Sequence, residues 1–187
     1  MIAGIGHNGG PDMVGYSWRK TSWQKARADL LPTLPIEVVR LRVKRAQELG
    51  LPYKTYASVR AATGTDVIGF LFSSNALHML KTAQLPDDRA AKLAALVRTD
   101  RTAIVHRPIA PETVADLDGL DAAHAAPLFT RSWSDMSREM RGIVLARGGK
   151  GDGYVLVGEG AFEREWVAAG KLAGFVTGEA YFAGPTA

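Results

Sequence analysis

Ser73, Ser74, Asn75 and His78 fall within one short stretch, and hydroxyls beside an imidazole are the raw material of nucleophilic catalysis. On a helix Asn75 and His78 would share a face. A serine nucleophile also needs an exposed elbow and an activating base, and neither is encoded around it. Asp121 and His124 are spaced as neighbours on a helical face, where they would form an acid–base pair or supply two metal ligands. With no further ligand spaced nearby, a simple polar pair is expected, and neither a metal nor another cofactor is assigned. His7 and His106 stand too far from other reactive groups to receive a role, so the catalytic residues are left unknown.

Two glycine-rich turns invite a phosphate. Gly148-Gly149-Lys150-Gly151-Asp152-Gly153 lacks the GxxxxGK[ST] order and precedes a strand instead of linking a strand to a helix. Gly158-Glu159-Gly160 is better placed, because it leads into a helix whose first N–H groups attract anions. Glu159 and Glu163 oppose an anion there, and the third glycine of a dinucleotide fingerprint is missing. A tight structural turn is the expectation.

Charge supplies the other lead. Residues 1–60 hold ten Lys or Arg against four Asp or Glu, whereas residues 61–187 hold thirteen against fifteen. The overall +4 therefore hides a basic first third. Arg19, Lys20, Lys25, Arg27, Arg40, Lys44, Arg45, Lys54 and Arg60 are the candidate phosphate contacts, with Trp18 available to stack on a base. Two helices joined by the turn around Gly50 have the spacing of a helix–turn–helix, and Tyr53, Lys54, Thr55, Ser58 and Arg60 are polar enough to face a duplex. A second placement, continuing past Gly64 into Val67, Ile68, Phe70, Leu71 and Phe72, fails because those residues belong in a core.

The elements that must position these groups follow from periodicity and breakers. Residues 1–15, with Gly4, Gly6, Gly9, Gly10 and Pro11, read as a flexible arm. Pro35 opens the strongest helix, Ile36 to Leu49, and Gly50 and Pro52 close it. Its apolar residues lie on two sides, which predicts contacts with two neighbours, one of them another chain or a later helix. A second helix is expected over Tyr53 to Ala62. The run Val67 to Phe72 is buried, as helix or as strand. Helices follow at Asp87–Arg98, Glu112–Ala125 and Trp133–Arg147, with a short strand at Thr102–Val105. Tyr154–Val157, the Gly158 turn, Ala161–Ala169 and Leu172–Val176 form a strand–helix–strand unit.

The expected fold class is mixed α/β, predominantly helical, with a helical N-terminal lobe followed by a small C-terminal α/β unit. The divisions fall at a 1–15 arm, a 16–98 basic helical lobe, a 99–111 linker or short strand, and a 112–187 α/β lobe, the two lobes sharing one core or not. The absence of cysteine removes disulfides and thiol nucleophiles. Residues 1–10 have no secretory pattern, no run is apolar enough for a membrane helix, and a cytoplasmic protein is expected. Three functions remain open. The first is a noncatalytic regulatory or adaptor protein contacting nucleic acid through the basic region. The second is a small enzyme acting on an anionic metabolite. The third is an interaction module that meets a protein partner, or a second copy, through Ile36–Leu49.

Overall fold

The computed structural model describes residues 34–183. The chain divides into two compact units, residues 1–39 and 40–187, and the architecture below is that of the second. The expected arm and the candidates Trp18, Arg19, Lys20, Lys25 and Arg27 lie outside the described residues.

Helix α1 (Ile36–Glu48) and helix α2 (Tyr53–Thr63) precede strand β1 (Gly69–Ser73). Helix α3 (Asp87–Ala94), strand β2 (Asp100–Val105), helix α4 (Pro111–Ala115) and strand β3 (Ala122–Ala125) follow. Helix α5 (Trp133–Ala146) then leads to strand β4 (Tyr154–Gly158), helix α6 (Ala161–Gly170), strand β5 (Gly174–Thr177) and helix α7 (Gly178–Phe182). The strands form one parallel sheet in the order β3-β2-β1-β4-β5. At its centre Leu71 is in register with Thr102 on one side and Leu156 on the other.

Alternate residues of the central strands feed opposite cores. Phe70, Phe72, Ala103, Val105, Val155 and Val157 face one way, and Leu49 just after α1, Tyr56 of α2, Leu93 of α3 and Tyr181 of α7 join the core on that side. Leu71, Ile104 and Leu156 face the other way, beneath Met140 and Ile143 of α5 and Trp166 of α6. Being covered on both faces explains why β1 and β4 read as unbroken apolar runs without alternation.

The strand order has a mechanical consequence. From β1 the chain winds outward through α3 and α4 on one face. It then crosses back over the other face in α5 to place β4 on the free side of β1. Adjacent parallel strands whose connections leave in opposite directions open a crevice at their carboxyl ends, the usual ligand position in such sheets.

Several expected elements hold with small shifts. Gly64 ends α2 in a left-handed conformation (φ 74°), Ser132 caps α5 by accepting the Asp135 N–H, and Gly148 follows α5 at φ 71°. The Val67–Phe72 run resolves as strand from Gly69 onward. Two expectations are corrected. The helix read across Glu112–Ala125 stops at Ala115: Gly119, at φ 91°, turns the chain, and Ala122–Ala125 pairs with β2 as a strand. Asp87–Arg98 likewise ends early, at Ala94, and Arg98 adopts φ 52°. The short strand expected within 99–111 is β2, and β1, from the stretch read as a helical lobe, pairs with it and with β4. Among the described residues no helix is long and apolar enough to cross a membrane.

A carboxylate–imidazole pair at the carboxyl edge of the sheet

The crevice at the ends of β2, β1 and β4 is organised around one buried carboxylate. Glu163 sits in the first turn of α6 and is only 2% exposed. Its Oε1 accepts the Asn75 amide at 2.8 Å and lies 2.8 Å from His106 Nε2. Its Oε2 accepts the Glu159 backbone N–H at 2.7 Å, and the Ser73 hydroxyl donates to the same carboxylate. Donors from the ends of three adjacent strands thus converge on a single side chain.

Burial on its own would push the Glu163 carboxyl upward, but these hydrogen bonds outweigh it, with His106 the largest contributor among them, and hold it below its ordinary value. Glu163 is therefore an ionised acceptor, and an ionised carboxylate has no proton to donate. The Nε2 of His106 must then carry the hydrogen in their bond. Nδ1 makes no hydrogen bond among the described residues and is the nitrogen free to exchange a proton.

The local backbone makes this arrangement possible. A side chain at Gly158 would place its Cβ 2.5 Å from Glu163 Oε2, so glycine is what lets the carboxylate enter. Ser74 accepts the His106 backbone N–H at 3.1 Å, and Ser73 accepts the Ala76 N–H at 3.1 Å, fixing both strand ends. Trp166 stacks on the His106 ring, with centroids 5.4 Å apart and planes at 29°. The imidazole is held at its Nε2, its ring face and its backbone, and its side chain remains 27% exposed.

That exposure opens on a cavity of about 350 Å³ walled by His106, Arg107, Leu128, Phe129 and Phe162. A second cavity, of about 840 Å³, lies beneath α5 and shares Arg107, Ala126 and Leu128 with the first.

Other sequence candidates are distributed differently. Asn75 and His78 do not share a helix face. The chain turns after β1 and His78 adopts φ 58°, so Asn75 reaches Glu163 while His78 meets the Arg89 guanidinium at 2.8 Å. Asp121 and His124 separate in the same way. Asp121 pairs with Arg101 at 2.8 Å, and this hydrogen bond, more than any opposing burial, lowers its carboxyl. His124 points from β3 toward the larger cavity. Burial first, then the charge of Arg147, lowers its imidazole. Among the described residues no group of acids and histidines is arranged to hold a metal. The Gly158 turn does precede a helix, yet Glu163 takes the Glu159 N–H there for itself.

Of the basic candidates, Arg40, Lys44 and Lys54 are exposed. Arg45 is engaged by Asp66, Glu48 and the carbonyl oxygens of Val67, Val97 and Arg98. Arg60 pairs with Asp66 at 3.3 Å. Ala46 of α1 and Leu49 just after it are buried in the core, while Ile36 and Leu41 of α1 are exposed.

His106 and Glu163 went unassigned in the sequence because they are 57 positions apart. The only local signal is that each follows a strand: His106 directly after β2, and Glu163 in the first turn of the helix after β4.

Fold and geometry together define a doubly wound parallel α/β protein with a buried carboxylate–imidazole pair at its topological switch point. No family model, curated protein or solved structure matches the chain.

Proposed function

We propose that this protein is a small α/β enzyme that performs general acid–base chemistry on an organic anion, with His106 as the proton-transferring group and Glu163 as the residue that positions it. The observation that carries the reading is the Glu163–His106 contact: a carboxylate buried at an energetic cost, saturated with donors, and presenting one imidazole to a cavity. An anchored imidazole with a bound carboxylate keeps one tautomer and one orientation, and the carboxylate stabilises the cation formed when the ring takes a proton. Arg107, exposed on the cavity wall, supplies the positive charge that favours an anionic substrate.

Turnover tests this directly. A pool of small organic anions, including keto acids, hydroxy acids, esters and phosphate monoesters, is incubated with the protein in deuterated buffer and followed by proton NMR. Wild type should exchange or convert at least one component, and His106→Gln should leave that component untouched. A role for the pair as a purely structural clasp predicts no turnover by either protein.

A second reading, nucleic-acid attachment by a regulatory or adaptor protein, draws on exposed Arg40, Lys44 and Lys54 along α1 and α2. It predicts binding whose logarithm falls linearly with the logarithm of salt concentration. Salt-independent binding, or none to either duplex or single strands, counts against it.

A further inference from the structure

We infer that the substrate is an apolar-bodied organic anion that extends from His106 into the larger cavity beneath α5, where Arg107 and Arg131 receive its charged end. This rests on the acid–base reading above and adds the class of molecule and the way it lies.

The two cavities are neighbours with a common wall. Arg107, Ala126 and Leu128 line both, so a molecule seated against His106 already touches side chains of the second space. A volume of about 840 Å³ is within the range of sites that enclose small organic ligands. Its walls are mainly apolar, among them Ile109, Leu128 and Ile143, which suits a hydrocarbon or aromatic body better than a sugar.

Charge fixes the sign of the other end. Arg107 has no hydrogen bond or ion pair among the described residues. The Arg131 side chain, 51% exposed, has a single 3.3 Å contact with Glu139, which leaves most of its five N–H donors unused. Two guanidinium groups against one carboxylate give a positive wall, and guanidinium pairs with carboxylate or phosphate through two parallel hydrogen bonds. His124 lies on the same wall, with its Nε2 buried and unpaired among the described residues. Burial, then the charge of Arg147, disfavours its cation, so the ring lines the wall without adding charge.

The test uses the whole chain and three probes: phenyl phosphate, inorganic phosphate and phenol. Calorimetry measures affinity, and NMR of histidine-labelled protein reports the contact. Phenyl phosphate should bind saturably, about tenfold or more tighter than either half of it alone, and should shift both the His106 and His124 ring signals. The double variant Arg107→Ala/Arg131→Ala, altered only at exposed side chains, should weaken it about tenfold or more. His106→Gln should keep binding, because the charged end is held elsewhere. Equal affinities for phenyl and inorganic phosphate, or affinity indifferent to the double variant, would overturn the assignment. Shifts confined to His106 would also overturn it, while sparing the acid–base reading. Expected binding together with no turnover of any pooled anion would support the cavity assignment and count against the acid–base chemistry.

Discussion

His106 Nε2 and Glu163 Oε1 stand 2.8 Å apart although 57 positions separate them in the chain, because β2 and the start of α6 end at the same edge of the sheet. Everything proposed about chemistry depends on that contact, and its consequences can be measured without knowing the substrate.

Replacing Glu163 by Gln keeps the shape but returns only one accepting oxygen to a site built from donors. Its amide N–H groups would face Asn75, the Glu159 N–H or the Ser73 hydroxyl. A loss of about 2 kcal/mol in unfolding free energy is expected, read from urea denaturation with unchanged m-value. A stability equal to wild type would mean the carboxylate is not saturated as described.

The same residue sets a pH dependence. Its carboxyl is lowered in the folded state, so the folded protein binds that proton less readily than the unfolded chain. The stability it contributes is complete above the ordinary value of 4.5 and disappears as pH falls through the lower folded value. Wild type should therefore lose midpoint stability on acidification more steeply than Glu163→Gln. Parallel acid limbs for the two proteins would contradict this.

Gly158→Ala tests the entrance for the carboxylate. The new Cβ would fall 2.5 Å from Glu163 Oε2 and 3.0 Å from Phe175, and something must give. About 1–3 kcal/mol of destabilisation is expected, together with a shifted His106 ring resonance as the pair is pushed apart. An unmoved His106 signal would show that the carboxylate is not packed against this glycine.

How much of this was legible in the sequence differs from element to element. Pro35 marks the start of α1, and Gly50 and Pro52 its end, through local chemistry, and each holds its expected place. The Glu112–Ala125 stretch misled because its alanine-rich end suits a helix, whereas pairing with β2 and the turn at Gly119 made it a strand. Asn75 was singled out, but with the wrong partner: helix spacing pointed to His78, and the actual bond crosses the sheet edge to Glu163. Arg45 shows the converse limit. In composition it is a free cation, and only the fold reveals the five hydrogen bonds that occupy it. Strand order, which decides which loops meet, has no local signature.

That engagement makes Arg45 a structural residue first. Arg45→Met should cost about 2 kcal/mol in unfolding free energy, since it leaves backbone carbonyl oxygens and acids without their donor. Lys44→Met, on the exposed side of α1, should cost well under 1 kcal/mol. The reverse order in thermal or urea unfolding would contradict the described contacts.

Tyr154 offers an independent check of the opposite end of the sheet. Burial, then the charge of Asp100 and the hydrogen bond to it, push its phenol up to about 12. Ultraviolet titration should find this tyrosine neutral near pH 11, while an unfolded control ionises around the ordinary value of 10.0. Because the folded value is the higher one, stability from this group should fall as pH rises between those two values. Ionisation of Tyr154 in step with exposed tyrosines would refute it.

The most direct measurement is nitrogen NMR of the imidazole rings in the folded protein, with His106 assigned by substitution. An ionised Glu163 can only accept, so His106 should show a slowly exchanging proton on Nε2, lost or shifted in Glu163→Gln. A bare Nε2, or a ring signal indifferent to Glu163→Gln, would contradict the carboxylate–imidazole pair and the chemistry proposed for it.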